Sequence, residues 1–140
     1  MSAEITRIED VLRKDGKYAS VTNGVSMEPL FRTRRDMVIF EAANGELKKY
    51  DVVLYRVGDS YVMHRIIGIR AGDYVIRGDN TYTKEYVNKD SVIAVLVAFN
   101  RAGKRHEVSE LGYKLYSRVW HYLYPLRSIV RRVRIRLKKK

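Results

Sequence analysis

Between residues 17 and 104, short runs rich in Val, Ile and Tyr alternate with turn residues, and this texture narrows the possible folds most. Runs of four to ten such residues bounded by Gly, Asn and Asp read as strands. They are expected at 18–21, 37–41, 51–56, 61–70, 73–77 and 92–100. The turns between them are Asn44-Gly45, Gly58-Asp59, Ala71-Gly72-Asp73 and Gly78-Asp79-Asn80, where Gly and Asp supply tight-turn chemistry. Segments 61–70 and 73–77, joined by a Gly-Asp turn, form an expected hairpin. Ala102-Gly103-Lys104 is expected to close the strand-rich body. In front of it, Ile5, Ile8, Val11 and Leu12 step by three and four, which predicts a short helix over 2–14, ended by Asp15-Gly16. There is no internal repeat and no low-complexity linker. The expected class is mainly β, with a helical segment at 1–16 and a β body at 17–112.

A different pattern begins at residue 113. The 140-residue chain carries 28 Lys and Arg against 16 Asp and Glu, a net charge of +12. Residues 113–140 hold ten of those bases and no acid, so the rest of the chain is close to neutral. This argues against the β body itself being a nucleic-acid binder, which would need its own basic face. In the tail, Leu115, Val119, Trp120 and Leu123 recur at helical spacing up to Pro125. Beyond it Leu126, Ile129, Val130, Val133 and Leu137 share one face, with Arg127, Arg131, Arg132, Arg134 and Arg136 off it. This predicts a basic amphipathic helix, kinked or broken at Pro125. Such a helix can lie in an anionic lipid surface, with Trp120 and the five arginines at the interface. The competing expectation is that the stretch up to Pro125 packs on the β body and the remainder is a solvated basic end.

Composition also excludes some chemistry. The absence of Cys removes disulfides, thiolate metal sites and a cysteine nucleophile together. His64, His106 and His121 are too scattered to suggest a metal cluster, and no cofactor is expected. No apolar run reaches the roughly 18–20 residues needed to cross a bilayer. The mixed charges of the first fifteen residues do not resemble a signal peptide. The expected location is cytoplasmic, or peripheral at the cytoplasmic membrane.

The segment Asn23-Gly24-Val25-Ser26-Met27-Glu28-Pro29-Leu30 places a serine between Gly and Pro, directly after an expected strand. A nucleophilic hydroxyl needs an exposed turn with backbone N–H groups free to face a developing oxyanion. It also needs a base. His64 lies within an expected strand, and a neutral imidazole can accept a proton near pH 7. Asp79, in Arg77-Gly78-Asp79-Asn80, offers a carboxylate that can orient an imidazole. Each also has a plain structural use: a turn serine, a half-buried strand histidine, a turn-forming aspartate.

Taken together, Gly-x-Ser-Met-x-Pro, then His-Arg-Ile, then Gly-Asp-Asn resemble the signal peptidase I family and its wider clan of serine peptidases, which includes the self-cleaving repressors. The resemblance covers roughly residues 18–99. It implies coiled antiparallel β-sheets and Ser26 as nucleophile, with His64 as base, as in the Ser-His branch of the family; most bacterial members use lysine there. It further implies a functional role for Asp79, the Ser26 backbone N–H as oxyanion donor, and Met27 and Pro29 in substrate binding. Asp36, in a box that resembles Gly-Asp-x-Val with the glycine lost, is expected to be structural. The resemblance implies a polypeptide substrate with small residues before the cut. The chain departs from the family in lacking a spanning anchor, and from the repressors in lacking room for a helix-turn-helix domain. The position two before the serine, where some members carry a hydroxyl, is Gly24.

The function expected from these residues is a serine endopeptidase that removes a leader or signal segment from a precursor. The alternatives are a non-catalytic membrane- or partner-binding module on the same scaffold, and self-cleavage at Ala71-Gly72 or Ala102-Gly103.

Overall fold

The structure is a computed structural model that describes residues 7–139. Helix α1 (Ile8–Asp15) precedes strands β1 (Lys17–Val21), β2 (Met37–Ala42), β3 (Val52–Val57), β4 (Ser60–Ile69), β5 (Asp73–Arg77), β6 (Glu85–Asn88), β7 (Val92–Arg101) and β8 (Lys104–Glu107). Helices α2 (Leu111–Tyr122) and α3 (Tyr124–Lys138) follow. The strands form one antiparallel sheet in the order β1-β2-β7-β3-β4-β5-β6, with β8 also on β7. The fold is therefore mainly β, as expected, with a short helix before the sheet and helices after it.

Strand β3 shows how the sheet is packed. Its side chains alternate between faces, so Val52 and Leu54 join one core while Val53 and Tyr55 join another. That is why Val52-Val53-Leu54-Tyr55 is an unbroken apolar run rather than an alternating one. The first core gathers Leu12, Met27, Leu30, Phe31, Phe40 and Phe99; the second gathers Ile66, Tyr74, Ile76 and Val87. Register shifts at Ile39/Phe40, Leu54/Tyr55 and Ile66/Gly68 break the regular pleat. Such bulges increase twist and bend a sheet.

The structure departs from the sequence expectations in three places. Residues 104–107 do not end the body but return as β8, through a two-residue turn in which Ala102 (φ 51°) and Gly103 (φ 85°) are both left-handed. That conformation disfavours alanine, and the Ala102 N–H is held by the Asp36 carboxylate at 2.9 Å. The same carboxylate accepts from the Arg32 N–H (2.7 Å) and pairs with Arg35, so Asp36 ties two loops together. Strand β6 was not expected: only Val87 of its four residues is buried, too little for an alternation signal. Finally, the break in the tail falls at Leu123, and Pro125 sits in the first turn of α3, where a proline is well tolerated. The expected helix over 2–14 is described only from Ile8 onward; Ile5 lies outside the described residues.

Helix α2 packs on the body with its aromatic face. Tyr113 and Tyr116 meet the first core and Ser117 is buried. Leu111, Leu115, Val119 and Tyr122 point outward and are exposed, the reverse of what an aliphatic packing face would do. On α3, Leu126, Ile129, Val130, Val133 and Leu137 are exposed as well. No helix among the described residues is long and apolar enough to cross a membrane.

Candidate active site

Residues 22–36 form a long loop whose ends are pinned together. Thr22 donates its N–H to the Asp36 carbonyl (2.9 Å) and its hydroxyl to the Arg32 carbonyl (2.9 Å). Within the loop, Met27, Leu30 and Phe31 are buried in the first core. The alternation of buried Met27 with half-buried Ser26 fixes which way the serine turn faces. Ser26 lines an open cleft of about 360 Å³, together with Gly24, Met27, Val38, Leu54, Tyr61 and Met63. The Ser26 N–H donates to no group among the described residues.

The Gly-Asp-Asn turn after β5 is sewn to this loop. Asn80 donates its N–H to the Ser26 carbonyl (2.8 Å) and its side-chain amide to the Val25 carbonyl (3.1 Å). The Asp79 N–H points to the Met27 sulfur at 3.5 Å. Gly78 stands between the Ser26 turn and the imidazole. A Cβ there would lie 2.7 Å from the Ser26 carbonyl oxygen and 3.0 Å from His64 Nε2. Only a glycine lets these two groups share that space.

His64 sits on β4, opposite Val53 of β3, and is 6% exposed. Its Nδ1 lies 3.1 Å from the Tyr55 hydroxyl. Tyr55 in turn donates to the Glu85 carboxylate. Burial, and the neighbouring Glu85, push the Tyr55 phenol well above its ordinary pKa, so it keeps its proton. A phenol has one proton to give. With that proton on Glu85, the Tyr55 oxygen is left to accept from His64 Nδ1, an arrangement that favours the Nδ1–H tautomer. Nε2 lies on the Gly78 side of the ring, on the same side as the Ser26 carbonyl. Among the described residues no hydrogen bond joins it to the Ser26 hydroxyl, and His64 does not line the Ser26 cleft. Burial lowers the His64 pKa from its ordinary value, opposed by the charges of Glu85 and Asp79, which favours the neutral ring.

Asp79 is close enough to influence His64 by charge, but its carboxylate is used elsewhere. It forms a two-point pair with the buried Arg65, Nε to Oδ1 at 2.8 Å and Nη2 to Oδ2 at 2.9 Å. It also accepts from the Tyr116 hydroxyl at 2.7 Å. Arg65 completes its donors on the Tyr50 carbonyl and the Tyr113 hydroxyl. The orienting contact to the imidazole that the sequence assigned to Asp79 is thus made by Tyr55, with Glu85 behind it.

The remaining expected site residues are divided. Met27 lines the Ser26 cleft, whereas Pro29 opens onto a separate pocket beside Phe99 and Tyr113. Trp120 and Arg127, expected at a lipid surface, turn inward: Trp120 Nε1 (2.8 Å) and Arg127 Nη1 (3.1 Å) both donate to the Asp79 carbonyl. Arg131, Arg132, Arg134 and Arg136 remain exposed on α3. His106 lies away from the site beside Glu110, whereas His121, edge-on to Tyr50, lines a small gap behind the turn together with Gly78 and Asp79.

Tyr55, Glu85 and Arg65 were not found from sequence. Arg65 was within sight, adjacent to His64 in His-Arg-Ile. Glu85 lies thirty residues from Tyr55 on a strand with almost no sequence signal, and nothing in the chain marks it. No family model matches this sequence, and no curated protein matches it either.

Proposed function

We propose that this chain is a serine endopeptidase acting on a polypeptide precursor, with Ser26 as nucleophile and His64 as general base. The observation that supports this most is the chain from His64 Nδ1 through the Tyr55 hydroxyl to the Glu85 carboxylate. It favours an Nδ1–H imidazole with Nε2 free to accept a proton, the form a general base needs. The resemblance of the Ser26, His64 and Gly78–Asn80 motifs to signal peptidase I-like enzymes supplies the reaction class.

In the first half of the reaction, Nε2 takes the Ser26 hydroxyl proton as Oγ bonds to the scissile carbonyl carbon. The carbonyl oxygen becomes an oxyanion, and the uncommitted Ser26 N–H is placed to donate to it. Imidazolium is stabilised by the Glu85 carboxylate, 3.6 Å from Nδ1, and at longer range by Asp79. As the intermediate collapses, the C–N bond breaks and Nε2–H protonates the leaving amine. Water then gives a proton to Nε2, attacks the Ser26 ester and releases the acid, restoring the hydroxyl. The cleft around Ser26 is the place for the residues next to the cut.

Mass spectrometry of a peptide library with small residues before potential cut sites tests the reading. Wild-type protein should cleave members of it, and Ser26→Ala should cleave none. Equal cleavage by both proteins, or none by wild type together with no reaction of Ser26 toward an acylating serine probe, would overturn it.

A further inference from the structure

Helix α3 does not simply leave the body. Its inner side faces the chain just after the Gly-Asp-Asn turn, and between them runs an open groove of about 900 Å³. One wall is Asn80, Thr81 and Tyr82; the other is α3, presenting Arg127, Arg131, Arg134 and Lys138. No acidic residue lines it. Two of the arginines are held in place: Arg131 lies over the Tyr82 ring at 4.8 Å and Arg127 over Trp120 at 4.2 Å. The groove begins at Asn80, the residue whose N–H holds the Ser26 carbonyl.

We infer that this groove binds an acidic stretch of the polypeptide substrate, on one flank of the bond to be cut. Guanidinium groups fixed by stacking lose less freedom on meeting a carboxylate than free ones, and they pair with it through two hydrogen bonds. Val130 and Ile135, between the basic residues, add apolar contact for side chains interspersed with the acids. A two-walled groove admits an extended chain, whereas a flat lipid surface cannot enter it. Asn80 at the end of the groove is hydrogen-bonded to Ser26, so a chain leaving that end would pass beside the serine turn. To call the ligand a substrate rests on the peptidase reading; the binding itself does not.

The test uses Ser26→Ala protein, so that nothing is consumed, and a fluorescent ten-residue peptide containing four Asp and Glu. Its counterpart carries Asn and Gln at the same positions. Anisotropy should show the acidic peptide binding about tenfold or more tighter at low salt, with the gap narrowing as salt is raised. Adding Arg134→Glu and Lys138→Glu should abolish the preference. Arg132→Glu with Arg136→Glu changes net charge equally but touches no groove residue, and should retain most of it. Equal loss in both double variants, or no preference in the parent, would overturn the inference. So would capture by phosphatidylglycerol vesicles with no preference for the acidic peptide, which would mark α3 as lipid-facing. Acidic binding without cleavage of any peptide by wild type would instead count against the peptidase reading alone.

Discussion

His64 stands between two carboxylates that are held in opposite ways. Glu85, on the edge strand β6, is 42% exposed and reaches the imidazole both through the Tyr55 phenol and directly, 3.6 Å from Nδ1. Asp79, in the turn after β5, is 3% exposed and locked to Arg65, Tyr116 and, through its carbonyl, to α2 and α3. The first arrangement is light and close to the ring; the second is dense and mostly turned away from it. The difference separates two structural roles. Glu85 anchors the phenol beside the imidazole, and Asp79 anchors the turn that is hydrogen-bonded to the Ser26 loop.

The largest effect should come from the dense side. Asp79→Ala leaves Arg65 charged, buried and without its main partner. Breaking a buried pair from one side costs about 3–5 kcal/mol. Chemical denaturation should show a loss of that order, with activity falling as the protein unfolds. A variant as stable as wild type would mean that Asp79 serves the imidazole after all. Replacing both partners, Arg65→Met with Asp79→Leu, should recover part of the stability without restoring cleavage.

Gly78→Ala should come next. The added methyl meets the Ser26 carbonyl and the His64 ring at once, and backbone cannot yield as a flexible side chain would. Displacements of about 1 Å at reacting groups can cost about a hundredfold in rate. Cleavage should fall to that degree while the fold, followed by circular dichroism, is retained. Unchanged cleavage would show that the serine and the histidine do not meet at this glycine.

Tyr55→Phe removes the phenol that positions His64 but keeps most of the packing. Cleavage should drop about tenfold to a hundredfold, carried by kcat with KM nearly constant. The smallest effect belongs to Glu85→Gln. Glutamine can still accept from Tyr55, so the hydrogen-bond chain survives and only the charge is lost. If His64 is the base, cleavage should rise with pH as the ring loses its proton, with a midpoint below that of an ordinary imidazole because burial lowers its pKa. The Glu85 charge raises that midpoint, so removing it should move the pH profile further toward acid. The shift should exceed that from Asp79→Asn. A larger shift from Asp79→Asn would reverse the assignment of the two flanks.

What the chain revealed in advance follows the same division. Strands β1 to β5 and β7 were legible because their runs of Val, Ile and Tyr are bounded by Gly, Asn and Asp. Ser26, His64 and Asp79 stood out because each sits in a compact local motif. The structure joins the Ser26 loop to the Gly78–Asn80 turn, with His64 on β4 beside Gly78 and not hydrogen-bonded to Ser26 among the described residues. The functions of Asp79 and Glu85 were not legible. A carboxylate's partner depends on which strand lies beside it, and β6 carries almost no periodic signal of its own. Of the two expectations for the tail, packing of the stretch before Pro125 on the body is what α2 does, but through Tyr113, Tyr116 and Trp120, which hold Arg65 and the Asp79 turn, and not through Leu115 and Val119.

The most direct measurement is the tautomer of His64, read from its ring-nitrogen chemical shifts in a long-range nitrogen–proton correlation spectrum near pH 7.5. The account predicts that Nδ1 carries the proton and Nε2 is bare in the wild type, with the two forms mixing in Tyr55→Phe. A wild-type ring protonated at Nε2, with the same tautomer in Tyr55→Phe, would contradict it, because such an imidazole cannot take the Ser26 proton.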